Sequence, residues 1–105
     1  TELERVLFEH QAVQACGVVG KPDADGLVKP AAFIVTAPGV RASAELAAEL
    51  QQFVRERLAE YKRPRWVEFV DALPTTATGK VQRFKLRQMK VSASNVTDTV
   101  DDPSR

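Results

Sequence analysis

Hydrophobic positions change their spacing several times along the chain, and each change marks an element. Leu3, Val6 and Leu7 stand at helical steps, and Thr1 and Glu4 have the separation of a capping box. A short helix is therefore predicted over residues 2–9. Residues 12–20 form an apolar, partly β-branched run that ends in a turn-rich cluster at 21–26, and residues 30–37 form a second such run closed by Pro38 and Gly39. The two runs read as a hairpin, with Pro30 at the entry of its second strand, where a missing N–H matters little. Ser43 is placed to cap a helix over 44–59. Leu46, Leu50, Phe53, Val54 and Leu58 recur there at three- and four-residue steps, and Pro64 is the expected stop. Residues 66–70 alternate as a half-buried third strand would, and 73–80 have no period and read as a loop. Residues 82–89 return weakly to helical spacing through Phe84, Leu86 and Met89. The polar stretch 92–105 is expected to be a mobile tail.

The order α-β-β-α-β-loop-α implies an α+β domain: a small sheet of about three strands with helices on one or both faces. The length of 105 residues fits one domain, and 44% hydrophobic with 28% charged residues is a globular mixture rather than a disordered one. A chain this short buries roughly two-thirds of its unfolded surface, which leaves little to enclose a deep substrate pocket. No apolar run is long enough to span a bilayer, no signal peptide opens the chain, and no His/Cys cluster has metal-ligand spacing. With a single Cys, a reduced cytoplasmic setting is expected. Without an initiator Met, and with the helix pattern starting at residue 2, the chain reads as a fragment of something longer.

The overall net charge of +1 conceals an uneven distribution: −3 over residues 1–61, +6 over 62–90 and −2 over 91–105. The basic stretch suits either a local anion site or a solvated face balanced elsewhere in the fold. Within it, Thr75, Thr76, Thr78 and Gly79 precede Lys80. A glycine beside a mobile cation, among hydroxyls, has the chemistry of a phosphate-handling loop, and it also fits a plain polar loop. It is not a Walker motif, because Pro74 holds the first glycine position and Val81 the hydroxyl position. Tyr61, Arg63 and Arg65 interleave with Lys62, Pro64 and Trp66. Such a pattern can grip phosphates and stack on a purine, or it can simply close a helix end. Gly17 and Gly20 match an RNA-binding G-x-x-G as text only, since two valines between them continue a strand. His10 stands alone, with no catalytic arrangement assignable to it, and reads as a helix-end or surface residue, and Cys16 reads as a buried, inert thiol.

Taken in order, the segments resemble the C-terminal domain of the adenylate-forming enzymes: acyl- and aryl-CoA synthetases, peptide-synthetase adenylation domains and luciferases. The matching segments are Glu2-Leu-Glu4, His10-Gln-Ala-Val13, Gly17-Val-Val-Gly20-Lys-Pro-Asp23, Ala32-Phe-Ile-Val35, Leu58-Ala-Glu-Tyr-Lys-Arg-Pro64 and Leu73-Pro-Thr-Thr-Ala-Thr-Gly-Lys80 with the run through Arg87. The wording from Tyr61 to Arg87 looks most like benzoate-CoA ligases. The resemblance implies that residues 1–91 are a mobile lid on a larger N-terminal domain. That domain would bind ATP, Mg2+ and an aromatic carboxylate; acyl-adenylate and pyrophosphate would form first, and coenzyme A would then displace AMP. It further implies that Lys80 serves the adenylation step, that Tyr61, Arg63 and Arg65 lie near the nucleotide end of CoA, and that Lys80 is open to reversible acetylation by a lysine acetyltransferase and deacetylase. Alone, the fragment is expected to be inactive. The alternatives weighed are an adenylation domain of a peptide synthetase, a small nucleic-acid-binding module using the +6 stretch, and a purely structural interaction domain. Neither of the last two explains the ordered motifs, so no nucleic acid and no membrane are expected as partners.

Overall fold

The computed structural model describes residues 2–89 and 91. The expected cap at Thr1 and the expected tail at 92–105 lie outside the described residues. Helix α1 (Glu2–Phe8) is followed by the antiparallel hairpin β1 (Val13–Pro22) and β2 (Val28–Thr36), helix α2 (Ala44–Arg55), a 3₁₀ turn at Glu60–Lys62, strand β3 (Trp66–Phe69) and helix α3 (Arg83–Gln88). The sheet order is β1-β2-β3, with β3 parallel to β2. A parallel neighbour needs a crossover, and α2 supplies it.

Both faces of the sheet are covered. Leu3, Val6 and Leu7 of α1 and Leu46, Leu50 and Val54 of α2 pack with Cys16, Ala32, Ile34 and Val67 on one face. Val19, Ala31, Phe33 and Trp66 point the other way and pack under Leu86, with Leu73, Val81 and Met89 around them. Neighbouring Trp66 and Val67 are thus both buried, where a one-sided strand would expose one of them.

Several expectations are corrected by specific contacts. Helix α2 has its cap at Ser43, whose Oγ accepts the Leu46 N–H at 3.0 Å, but it ends at Arg55, short of the expected residue 59 and well before Pro64. Arg63 reaches back to this end: its Nη2 donates to the carbonyl of Arg55, the last helical residue (3.3 Å), and its Nε to the Leu58 carbonyl in the turn beyond (3.1 Å). Strand β2 starts at Val28, so Pro30 lies inside it. The Pro30 carbonyl accepts the Arg65 N–H at 2.8 Å. Its nitrogen therefore faces the same side just before β3 begins, and no ladder bond is lost. In α3 the buried side chain is Leu86, while Phe84 is half exposed.

Candidate functional site

Residues 73–81 are an ordered turn rather than a featureless loop. Thr75 and Val81 form an antiparallel bridge. Within it the Thr76 N–H reaches the Lys80 carbonyl (2.8 Å) and the Gly79 N–H the Thr76 carbonyl (2.9 Å). The Thr76 Oγ1 accepts the Lys80 N–H at 3.1 Å and lies 3.1 Å from the Thr78 Oγ1. Gly79 sits at φ +90°, a conformation that closes this type of turn and that a β-carbon disfavours. The β1–β2 turn repeats the pattern: Asp23 N–H to the Leu27 carbonyl, Gly26 N–H to the Asp23 carbonyl, Asp23 Oδ1 accepting the Leu27 N–H, and Gly26 at φ +81°. Asp-Ala-Asp-Gly-Leu and Thr-Ala-Thr-Gly-Lys are two sequences for one backbone. Three of the hydroxyl-bearing candidates, Thr75, Thr76 and Thr78, are exposed with Gly79 and Lys80 on this turn. Thr76 has an evident structural task, and among the described residues no hydrogen bond or ion pair holds the Lys80 ammonium. The turn is held on the sheet by Val81 and Leu73, on the face opposite α1 and α2.

Tyr61, Arg63 and Arg65 come together elsewhere. They line an open groove of about 790 Å³ with Val28, Lys29, Gln51 and Arg55. The Gln51 amide, buried inside α2, donates to the Pro64 carbonyl at 2.9 Å and ties that helix to the groove wall. Tyr61 is 78% exposed, so its ring is presented rather than packed. The Arg65 guanidinium lies 6.0 Å from the Trp66 ring, a cation over an aromatic face. Four of the lining side chains are cationic and one, Glu60, is anionic, which gives the groove an excess of positive charge. Lys29, Gln51 and Arg55 were not legible as members, because the groove is assembled from β2, α2 and the 3₁₀ turn, and no local spacing joins these.

Other sequence candidates find structural roles. His10 does have an acid beside it: its Nε2 lies 2.8 Å from Glu49 Oε2 on α2, and its Nδ1 accepts the Ala12 N–H at 3.0 Å. Nδ1 is therefore unprotonated in this arrangement, and Nε2–H donates to Glu49. The ring also meets Phe53 edge-on at 4.9 Å, so His10 ties the end of α1 to α2. Cys16 is buried, and burial first, then the Glu4 carboxylate, pushes its thiol up to about 12. Gly17 and Gly20 lie within β1. A β-carbon on Gly17 would stand 2.7 Å from Leu86 Cδ1, so this glycine admits α3 to the sheet. Among the described residues no group of three or more His, Cys, Asp or Glu side chains could hold a metal ion, and no helix is long and apolar enough to cross a membrane.

Comparison with known proteins places this geometry among relatives. The family described as the AMP-binding enzyme C-terminal domain matches residues 2–80. A benzoate-CoA ligase of Thauera aromatica is 56% identical over 86 residues, covering 82% of this chain and 16% of that protein. A crystal structure of an anthranilate CoA ligase in complex with anthranoyl-AMP superposes with a TM-score of 0.79 at 52% identity, covering 83% of this chain and 17% of the other. A benzoate CoA ligase from Burkholderia xenovorans superposes at 0.77 with 55% identity, covering 82% and 17%. The chain thus spans about a sixth of the length of these relatives.

Proposed function

Since the chain belongs to the AMP-binding enzyme C-terminal domain family, the C-terminal part of the adenylate-forming enzymes, we propose that it is the catalytic lid of an ATP-dependent aryl-CoA ligase. Residues 1–91 form the lid and 92–105 a polar tail, and benzoate or a near aromatic acid is the substrate. The observation that carries this reading is an exposed lysine at a fixed point on a hydrogen-bonded turn, in a chain more than half identical to benzoate-CoA ligases.

The chemistry follows from charge. A carboxylate attacking the α-phosphorus of ATP brings two anions together, and the acyl-adenylate and pyrophosphate they yield carry developing negative charge on the phosphate oxygens. Lys80, presented from the turn, offsets that repulsion and stabilises the charge as it forms. Thr75, Thr76, Thr78 and Gly79 hold it there. ATP and its Mg2+ belong to the N-terminal domain, since the described residues offer no metal-ligand set. In the second step the thiol of CoA attacks the acyl carbonyl and AMP leaves. The groove of Tyr61, Arg63 and Arg65 takes the nucleotide end of CoA, its cations facing phosphates and Tyr61 stacking on the purine. Turn and groove lie on different parts of the sheet, which suits a lid that serves the two steps in two poses. Acetylation of Lys80 by a lysine acetyltransferase would remove its charge and arrest the first step, and a deacetylase would restore it. The setting is cytoplasmic, where ATP and CoA are supplied, and the excised domain alone does not turn over.

The test is Lys80→Ala in the full-length ligase, with adenylation from benzoate and ATP measured separately from thioester formation on supplied benzoyl-adenylate. Adenylation is expected to fall by about 10²–10³-fold, as on removing a charge-stabilising donor, with the second step retained. Wild-type rates in both steps would assign the turn a purely structural role.

A further inference from the structure

Three residues beyond Lys80, α3 opens with a contact that the chemistry above does not use. Arg83 meets Glu4 in a two-pronged pair, Nη1 to Oε2 and Nη2 to Oε1, both at 3.1 Å. The same Oε2 accepts the Val18 N–H at 2.7 Å. Val18 belongs to β1, the edge strand, and this N–H points outward from the ladder. The Glu4 side chain is only 12% exposed, so the pair is shielded on its acidic side. Glu4 comes from the helix on one face of the sheet and Arg83 from the helix on the other; their bond passes around the rim of β1.

Helix α3 has only six residues and one fully buried side chain, Leu86. So short a helix has little stability of its own, and it depends on what holds it to the sheet: Leu86 in the core, with Val81 and Met89 packed on either side. Lys21 holds its far end through the Arg87 carbonyl. The near end, which continues directly into Val81 and Lys80, is held by the packing of Val81, by the Gln82 N–H on the Pro74 carbonyl (2.8 Å) and by the Arg83 pair with Glu4. Paired donors to a carboxylate set orientation as well as distance, which non-directional apolar packing does not.

We propose that Glu4 and Arg83 are positioning residues for the adenylation step: a strap around the sheet edge that sets where the Lys80 turn stands. The inference rests on the reading of Lys80 as the adenylation lysine. A displacement of about 1 Å in a group that must meet reacting atoms can cost on the order of 100-fold in rate. Loosening the strap therefore lowers the adenylation rate without touching a substrate contact.

The experiment uses the full-length ligase with Arg83→Ala, Arg83→Lys and Glu4→Gln, and Lys80→Ala beside them. Each enzyme is assayed for kcat and KM in benzoate-dependent adenylation, for thioester formation from supplied benzoyl-adenylate, and for thermal unfolding. Arg83→Ala is expected to lower the adenylation kcat by about ten- to hundredfold, with KM for benzoate and the thioester rate within about twofold. Arg83→Lys keeps the charge but not the fork and is expected to recover part of the loss. Glu4→Gln keeps an oxygen for Val18 and is expected to fall between these, which serves as the decisive variant if Arg83→Ala unfolds. Equal losses in both steps, or unchanged adenylation in Glu4→Gln and Arg83→Lys, overturn the proposal. If Lys80→Ala itself adenylates normally, the reading of Lys80 fails; if only the strap variants adenylate normally, the strap alone fails.

Discussion

Cys16 lies in β1 with its Sγ 3.6 Å from the Glu4 carbonyl, and burial pushes its thiol up to about 12. At pH 8 almost none of it is thiolate, and the native chain is expected to resist iodoacetamide for as long as β1 stays closed. Mass-spectrometric labelling should proceed only at denaturant concentrations that open the sheet, and rapid modification of the native protein would contradict the burial. Glu2 and Lys62 show the opposite, exposed case, joined at 2.7 Å across 60 positions. The hydrogen bond and the charge of Lys62 hold the Glu2 carboxyl below its usual range, and Glu2 holds the Lys62 ammonium above its own. Folding therefore gains from Glu2 above the ordinary carboxylate range and loses that gain as pH falls. The gain from Lys62 is full below the ordinary lysine range and is lost as pH rises through the raised value. In an exposed, salt-screened pair the gain is small. Single residues were legible where chemistry and local pattern coincide: Cys16 in an apolar run and Ser43 before a periodic one. His10 was not, because Glu49 is distant in sequence and adjacent only once α2 packs beside the end of α1. Glu4 looked like a capping residue, and the sequence carries no sign of its grip on Val18 and Arg83.

Among the elements, the hairpin was readable because its turn residues have defined conformational roles, and α2 because its apolar stripe and cap agree. The end of α2 misled: the apolar spacing runs on to Leu58, whereas the helix ends at Arg55, where Arg63 reaches back to the last carbonyl. Phe84 misled in the same way, because spacing cannot say which of two apolar neighbours turns inward on a helix of six residues. At Gly17 the sheet and the α3 layer approach closely. Gly17→Ala would put a β-carbon 2.7 Å from Leu86 Cδ1 and 3.4 Å from Val81 Cγ1. Leu86 is fully buried and has little room to yield, so a loss of about 1–3 kcal/mol is expected, read as a lowered midpoint in thermal or urea unfolding. An unchanged midpoint would mean that α3 can shift outward without loss.

At the scale of the molecule, a three-stranded sheet with both faces covered presents its two candidate regions separately, the Lys80 turn over one face and the Tyr61 groove beside α2. That separation predicts mirror-image defects. In the full-length ligase, Tyr61→Ala is expected to slow thioester formation by about five- to hundredfold, the 1–3 kcal/mol of a lost base–aromatic stack, and to spare adenylation. Equal effects on both steps would argue against a dedicated groove. The overall α+β architecture was legible because the element order admits few arrangements; the parallel placing of β3 was not, since it depends on how the segment between β2 and β3 crosses. That crossover also orders events in time. The β1–β2 hairpin closes through near neighbours, whereas β3 pairs with β2 only after the chain of residues 37–65 has been gathered in, a larger entropic demand. Trp66, which forms part of the floor beneath α3, arrives with β3. The segment carrying Lys80 is thus expected to join the assembly late in folding and to open before the β1–β2 hairpin does, a difference that amide hydrogen exchange would read.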